Sequence, residues 1–111
     1  MEIPKLEIGS IRADVPIIQG GMGVRVSLSS LASAVANEGG IGTISSIGLG
    51  EIDILSQDYE KTSREALQAE IRKAKSMTQG HLAINIMGVL SNADDLILTS
   101  VEEGIKMIVL G

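Results

Sequence analysis

The sequence predicts an α/β fold in which parallel strands alternate with helices, and three observations carry that prediction. Short apolar runs recur at 15–19 ("VPIIQ"), 41–45 ("IGTIS"), 82–86 ("LAINI") and 106–111 ("KMIVLG"). Stretches with apolar residues at helical spacing separate them. Glycines punctuate both kinds of segment at their ends. Strands that are apolar on both faces belong to a parallel sheet covered by helices, not to an antiparallel sheet with one wet face.

Taken in order, residues 5–15 ("KLEIGSIRADV") read as two extended pieces joined by a Gly9-Ser10 turn, a small hairpin. We place a boundary there: 1–15 as an amino-terminal hairpin, 16–111 as the α/β unit. The first parallel strand is expected at 16–19. The stretch 27–40 ("SLSSLASAVANEGG") carries Leu28, Leu31, Ala32 and Val35 on one helical face, with Ser27 as its expected N-cap and Gly39 just past its end. A strand at 41–45 follows. After a long loop, 64–78 places Leu67, Ile71 and Ala74 on one stripe behind Ser63, a second candidate cap. A third helix is expected at 92–104, capped by Asn92, with Asp94 and Asp95 in its first turn, where negative charge suits the helix dipole, and Gly104 at its end.

Four parallel strands and three helices amount to about half of a closed (β/α)8 barrel, which typically needs ~250 residues. The chain has 111. The expectation is therefore a half-barrel preceded by a short hairpin, either cut from a longer protein or completed by a second copy. Self-association through the unclosed first and fourth strands is the expected consequence.

Composition narrows the function. With 9 Lys+Arg against 14 Asp+Glu the net charge is −5, which argues against a nucleic-acid surface. There is no cysteine, so disulfide and thiolate-metal chemistry are absent. No stretch is apolar enough for a membrane helix, and the start lacks the pattern of a secretory signal; a cytoplasmic protein without a membrane partner is expected. Hydrophobic residues make up 44% of the chain, yet Tyr59 is its only aromatic. A planar ligand would have to be met by aliphatic side chains and backbone.

In parallel α/β folds, ligands bind at the carboxyl ends of the strands. Four stretches fall there: "QGGMG" (19–23), "SSIGLG" (45–50), "NIMG" (85–88) and Gly111. Gly20, Gly21 and Gly23 admit two readings, a tight turn or a backbone that must approach a ligand closely. Met22 reads as core packing or as a polarizable contact to a ring system. Asn85 is a turn residue or a paired donor and acceptor for a polar ligand group. Ser45 and Ser46 read as loop hydroxyls, and His81 stands on the opposite rim in a structural setting. No metal site is expected.

"PIIQGGMGVRVSLSSLASAVANEGGIGTISS" resembles the opening of the nitronate monooxygenase (2-nitropropane dioxygenase) family, FMN-dependent TIM barrels related to the FabK-type enoyl-ACP reductases. The resemblance rests on Pro-Ile-Ile-Gln at 16–19, the Gly21-Met22-Gly23 turn, the helix segment at 31–37 and the glycines at 39–42. "INIM" at 84–87 is similar to the family's third strand, where an asparagine contacts the flavin. The resemblance implies FMN as cofactor, with Gln19, Gly20, Gly21, Met22, Gly23 and Asn85 around it. It implies oxidation of nitronates with O2, or alternatively reduction of an enoyl thioester. The family's histidine base and phosphate loops lie downstream of the matched region, so the chain alone is expected to be inactive. A non-catalytic, self-associating half-barrel and another phosphate-binding barrel of the IMP-dehydrogenase type are the competing readings. Valine at position 21 or 23 is expected to weaken FMN binding more than it lowers stability.

Overall fold

A computed structural model describes residues 2–50 and 52–111. Among them the chain forms β1 (Leu6–Ile8), β2 (Ile11–Ala13), α1 (Ser29–Asn37), β3 (Ile41–Ser45), α2 (Tyr59–Met77), β4 (His81–Ile86), α3 (Ala93–Glu102) and β5 (Met107–Leu110). β1 and β2 make the expected antiparallel hairpin, with Ile8 opposite Ile11 and Gly9 at φ +56° in the turn. β3, β4 and β5 form a parallel sheet in that order, with Ile41 opposite His81 and Ala83 opposite Met107.

The first expected strand is much reduced. Residues 15–19 lie parallel to β3 but share only one bridge with it, Ile18 opposite Ile41. Ile41 N–H donates to the Ile17 carbonyl at 2.9 Å and Gln19 N–H to the Ile41 carbonyl at 3.0 Å. Pro16 has no N–H to give, and Ile17 N–H turns back onto the Val15 carbonyl at 2.8 Å, so the regular ladder stops there, with one further backbone bond from Val15 N–H to the Gly39 carbonyl at 3.1 Å. On the other side, the Gln19 side chain takes over from the backbone. Its Nε2 donates to the Thr43 carbonyl at 3.1 Å while its Oε1 accepts from Thr43 N–H at 3.0 Å. The outer groups of β3 are thereby satisfied without a full strand.

Helix boundaries also differ from expectation. α1 begins at Ser29, and Ser27 makes no cap bond with it. Its free N–H at Ser29 instead meets Glu70 Oε2 at 2.9 Å, a carboxylate brought from α2. α2 begins at Tyr59, five residues earlier than expected, so Ser63 lies inside the helix and is fully buried. Asn92 does stand at the N-cap position of α3, but its side chain makes no cap bond. The glycine stops hold: Gly39 and Gly104 adopt φ +95° and +84° just past α1 and α3, a region nearly closed to residues with a Cβ.

All three helices pack on one face of the sheet. Ile44, Leu82, Ile84 and Ile86 meet Ala32, Ala36, Leu67, Ile71, Ala74 and Leu96 in the main core. Ile44, Ile84, Ile86, Leu67 and Ile71 are completely buried, each contributing about 1.5–3 kcal/mol by leaving water. Gly42 lets α1 lie directly on β3, since a Cβ there would sit 1.8 Å from the Ala32 carbonyl oxygen. The other face carries a second, smaller core: Ile41 and Ala83 under Ile11 and Ala13 of the hairpin, flanked by Leu6 and Met107. Helices on one face and a hairpin plugging the other give one wall of a barrel, not a doubly wound sheet.

Candidate functional site at the carboxyl rim

The plugged face changes character along its length. Strand alternation puts Ile41, Thr43 and Ser45 of β3 on that face, opposite His81, Ala83 and Asn85 of β4. Toward the amino end Ile41 and Ala83 are apolar and covered by the hairpin, and His81 bonds to it. At the carboxyl end they are Thr43, Ser45 and Asn85, a polar group of three. Thr43 Oγ1 and Ser45 Oγ are buried with no hydrogen-bond partner among the described residues. A buried hydroxyl without a protein partner calls for one, water or ligand, and Ser63 Oγ and the Asn92 side-chain amide stand in the same condition.

The glycine loop lies over this group. Gly21 rests on it so closely that a Cβ would come within 2.7 Å of Asn85 Cβ and 3.2 Å of Thr43 Cγ2. A Cβ at Gly23 would fall 1.9 Å from Ile47 Cγ2 and 3.3 Å from Ser45 Oγ. Gly20 differs: nothing stands within 4 Å of where its Cβ would be. Ser27, expected as a helix cap, closes the loop instead. Its Oγ accepts from Met22 N–H at 2.9 Å, and its own N–H donates to the Met22 carbonyl at 2.9 Å. The Ser27 carbonyl then accepts from Ser45 N–H at 2.9 Å, fixing the loop to the tip of β3.

The six residues expected around a cofactor thus come together at one rim, in two sets. Gln19, Gly21 and Gly23 are engaged by their own fold: the first is bonded to Thr43, and the other two are pressed against strand ends. Gly20, Met22 and Asn85 face outward or remain partly free. The Met22 side chain is 61% exposed. Asn85 is half-buried; its backbone carbonyl accepts from Ser46 N–H at 3.0 Å and Ser46 Oγ at 2.9 Å, and its side-chain amide makes no hydrogen bond among the described residues. Ser46 therefore serves the strand end, as its loop-hydroxyl reading has it.

Two contributors escaped the sequence reading. Thr43 was legible in principle, because it precedes Ser45 by two and must share its face. Arg25 had no such signal: it lies in the glycine loop at φ +58° and reaches across to the carbonyls of Gly48 and Gly50.

The opposite rim has a different character. His81 Nε2 lies 2.8 Å from the Arg12 carbonyl, tying the hairpin to β4. A cavity of about 450 Å³ opens there beside Lys75, His81, Gly104 and Lys106, away from the polar strand tips. The displaced pKa values also lie outside the carboxyl rim. Asp14 is lowered by its hydrogen bond to Lys5, and Glu103 by its hydrogen bond to Arg72. Among the described residues, no group of three or more His, Cys, Asp or Glu is placed to hold a metal ion. Nor is any helix among them long and apolar enough to cross a membrane.

Residues 5–107 match the family described as nitronate monooxygenase. Among solved structures, the chain resembles FabK from Thermotoga maritima with a TM-score of 0.70 and 28% identity. The match covers 89% of this chain and 27% of that one. A point mutant of the same FabK matches with the same score and identity, over 29% of its length. The chain thus spans less than a third of these relatives. No curated protein gives a significant match.

Proposed function

Because the chain belongs to the nitronate monooxygenase family, we propose that its carboxyl rim is one wall of an FMN site in an oxidoreductase that oxidises nitronates with O2. The observation that carries this reading is the polar group of Thr43, Ser45 and Asn85 beneath a glycine loop, at the strand ends where such folds bind ligands. The residues fit the cofactor in chemical kind. Gly20 offers a backbone that a ring can approach without meeting a Cβ, and Asn85 offers a donor and an acceptor together. Met22 supplies an exposed, polarizable side chain in a chain whose one aromatic, Tyr59, is buried at the start of α2. Gln19, Gly21 and Gly23 shape the loop that presents these groups. FMN supplies the redox chemistry when bound, and the protein binds and orients it.

Enoyl-thioester reduction is the second reading, favoured by the likeness to FabK. Nitronate-dependent O2 consumption against reduced-nicotinamide-dependent enoyl reduction, assayed in the full-length parent, separates the two. The flavin site itself is tested by titrating FMN against the wild type and Asn85→Ala. Stranding or removing a buried polar partner typically costs about 1–3 kcal/mol, so affinity is expected to fall roughly tenfold or more with folding intact. Equal affinity in a folded variant would remove Asn85 from the site.

A further inference from the structure

Arg25 stands in the left-handed region, at φ +58°, where residues other than glycine, asparagine and aspartate seldom sit. Its side chain spans two loops. Nε donates to the Gly48 carbonyl and Nη2 to the Gly50 carbonyl, both at 3.1 Å. The neighbouring contacts run the same way. A Cβ on Gly48, itself at φ +63°, would meet Val24 Cγ1 at 2.6 Å, so Val24 rests directly on that glycine. Gly50 in turn lies against the backbone of Thr62 and Ser63 in α2. A continuous path therefore links the glycine loop at 20–23, through Val24 and Arg25, to the loop after β3 and on to the second helix.

We propose that Arg25 is a positioning residue for the cofactor site, a staple that holds the glycine loop at the height from which Gly20 and Met22 meet the flavin. The proposal rests on the flavin reading above. The guanidinium suits the task because its rigid fork satisfies two carbonyls of one loop at once, which a lysine, as a single point donor group, cannot do with the same geometry. A left-handed backbone at a functional loop is a cost that persists where the surroundings compensate for it, and these two bonds are the compensation.

The strain and the staple make opposite demands on one substitution, which gives the test. Arg25→Gly relieves the backbone and removes the staple; Arg25→Lys keeps the charge and loses the fork. Amide hydrogen exchange on the whole chain is measured for the wild type and both variants, alongside melting and FMN titration. Protection of the Met22 and Ser27 amides, which bond to each other's residue across the glycine loop, is expected to fall about tenfold in both variants as the loop opens, the scale of one or two lost hydrogen bonds, while the α1 and β3 core amides keep theirs. FMN affinity is expected to fall by about the same factor with the melting temperature nearly unchanged. If Arg25→Gly protects the loop and binds FMN as well as the wild type, the proposal is overturned. If the wild type itself takes no FMN, the flavin reading and the positioning role fall together, and the exchange data still decide whether the staple exists.

Discussion

Gly20 and Gly21 are adjacent and chemically identical, yet a methyl group added to each meets a different environment. At Gly20 it enters open space, and at Gly21 it runs into Asn85 and Thr43. Gly21→Val should therefore lower stability by about 1–3 kcal/mol through overpacking. The sequence-based expectation has valine at 21 or 23 acting mainly on flavin binding, and these contacts set a stability cost beside it at both positions. Gly20→Ala is the cleaner probe of the ligand. It should change stability by no more than about 0.5 kcal/mol while reducing FMN affinity, as read by thermal melting and flavin titration on the same samples. A Gly20→Ala protein that binds FMN normally would place the ring elsewhere. That these residues gather at one rim was legible in the sequence, since glycines and polar residues cluster after the apolar runs. How the labour divides within it was not. Whether a glycine faces a ligand or a neighbouring side chain depends on what lies across the loop, and Asn85 and Ile47 are distant in sequence from Gly21 and Gly23.

The helices show the same limit at the scale of elements. α1 has neither an acidic residue in its first turn nor a side-chain cap of its own, and Glu70 of α2 supplies both the acceptor and the charge. Glu70→Ala should cost about 1 kcal/mol, and calorimetric melting checks it. An unchanged melting temperature would mean that water caps α1 equally well. Ser27 and Ser63 fitted the local pattern of a cap, but tertiary structure gave one to loop closure and buried the other. The glycine stops at 39 and 104 were legible because positive φ is a local requirement. On the outer surface, Arg72 grips Glu103 with Nη2–Oε1 at 2.6 Å and Nε–Oε2 at 3.0 Å, tying α2 to the end of α3. That hydrogen bond holds the Glu103 carboxyl below its ordinary range. A lowered acid stabilises the fold fully above its unfolded pKa, and the contribution is lost as pH falls through the folded value. Arg72→Gln should consequently flatten the decline of stability on the acid side, visible as melting temperature against pH. A slope identical to the wild type would show that the pair contributes nothing.

On the scale of the whole molecule, the sheet face away from the helices runs from an apolar, hairpin-covered end to a polar, glycine-covered end. The alternation of strands and helices made the half-barrel legible, because helical and extended periodicities differ over short windows. The reduction of the first strand to one bridge was hidden in the turn at Pro16 and in the way Gln19 replaces a backbone partner. The account's central claim is that the polar end of this face is where a flavin binds. It is tested most directly by titrating FMN into the 15N-labelled chain and following amide resonances, which report even weak binding. The account predicts that the backbone amides of Gly20 and Met22 and the side-chain amide of Asn85 shift together, while Gly80, His81 and Gly104 at the opposite rim stay in place. Shifts confined to that opposite rim, or no shifts at millimolar FMN, would contradict it.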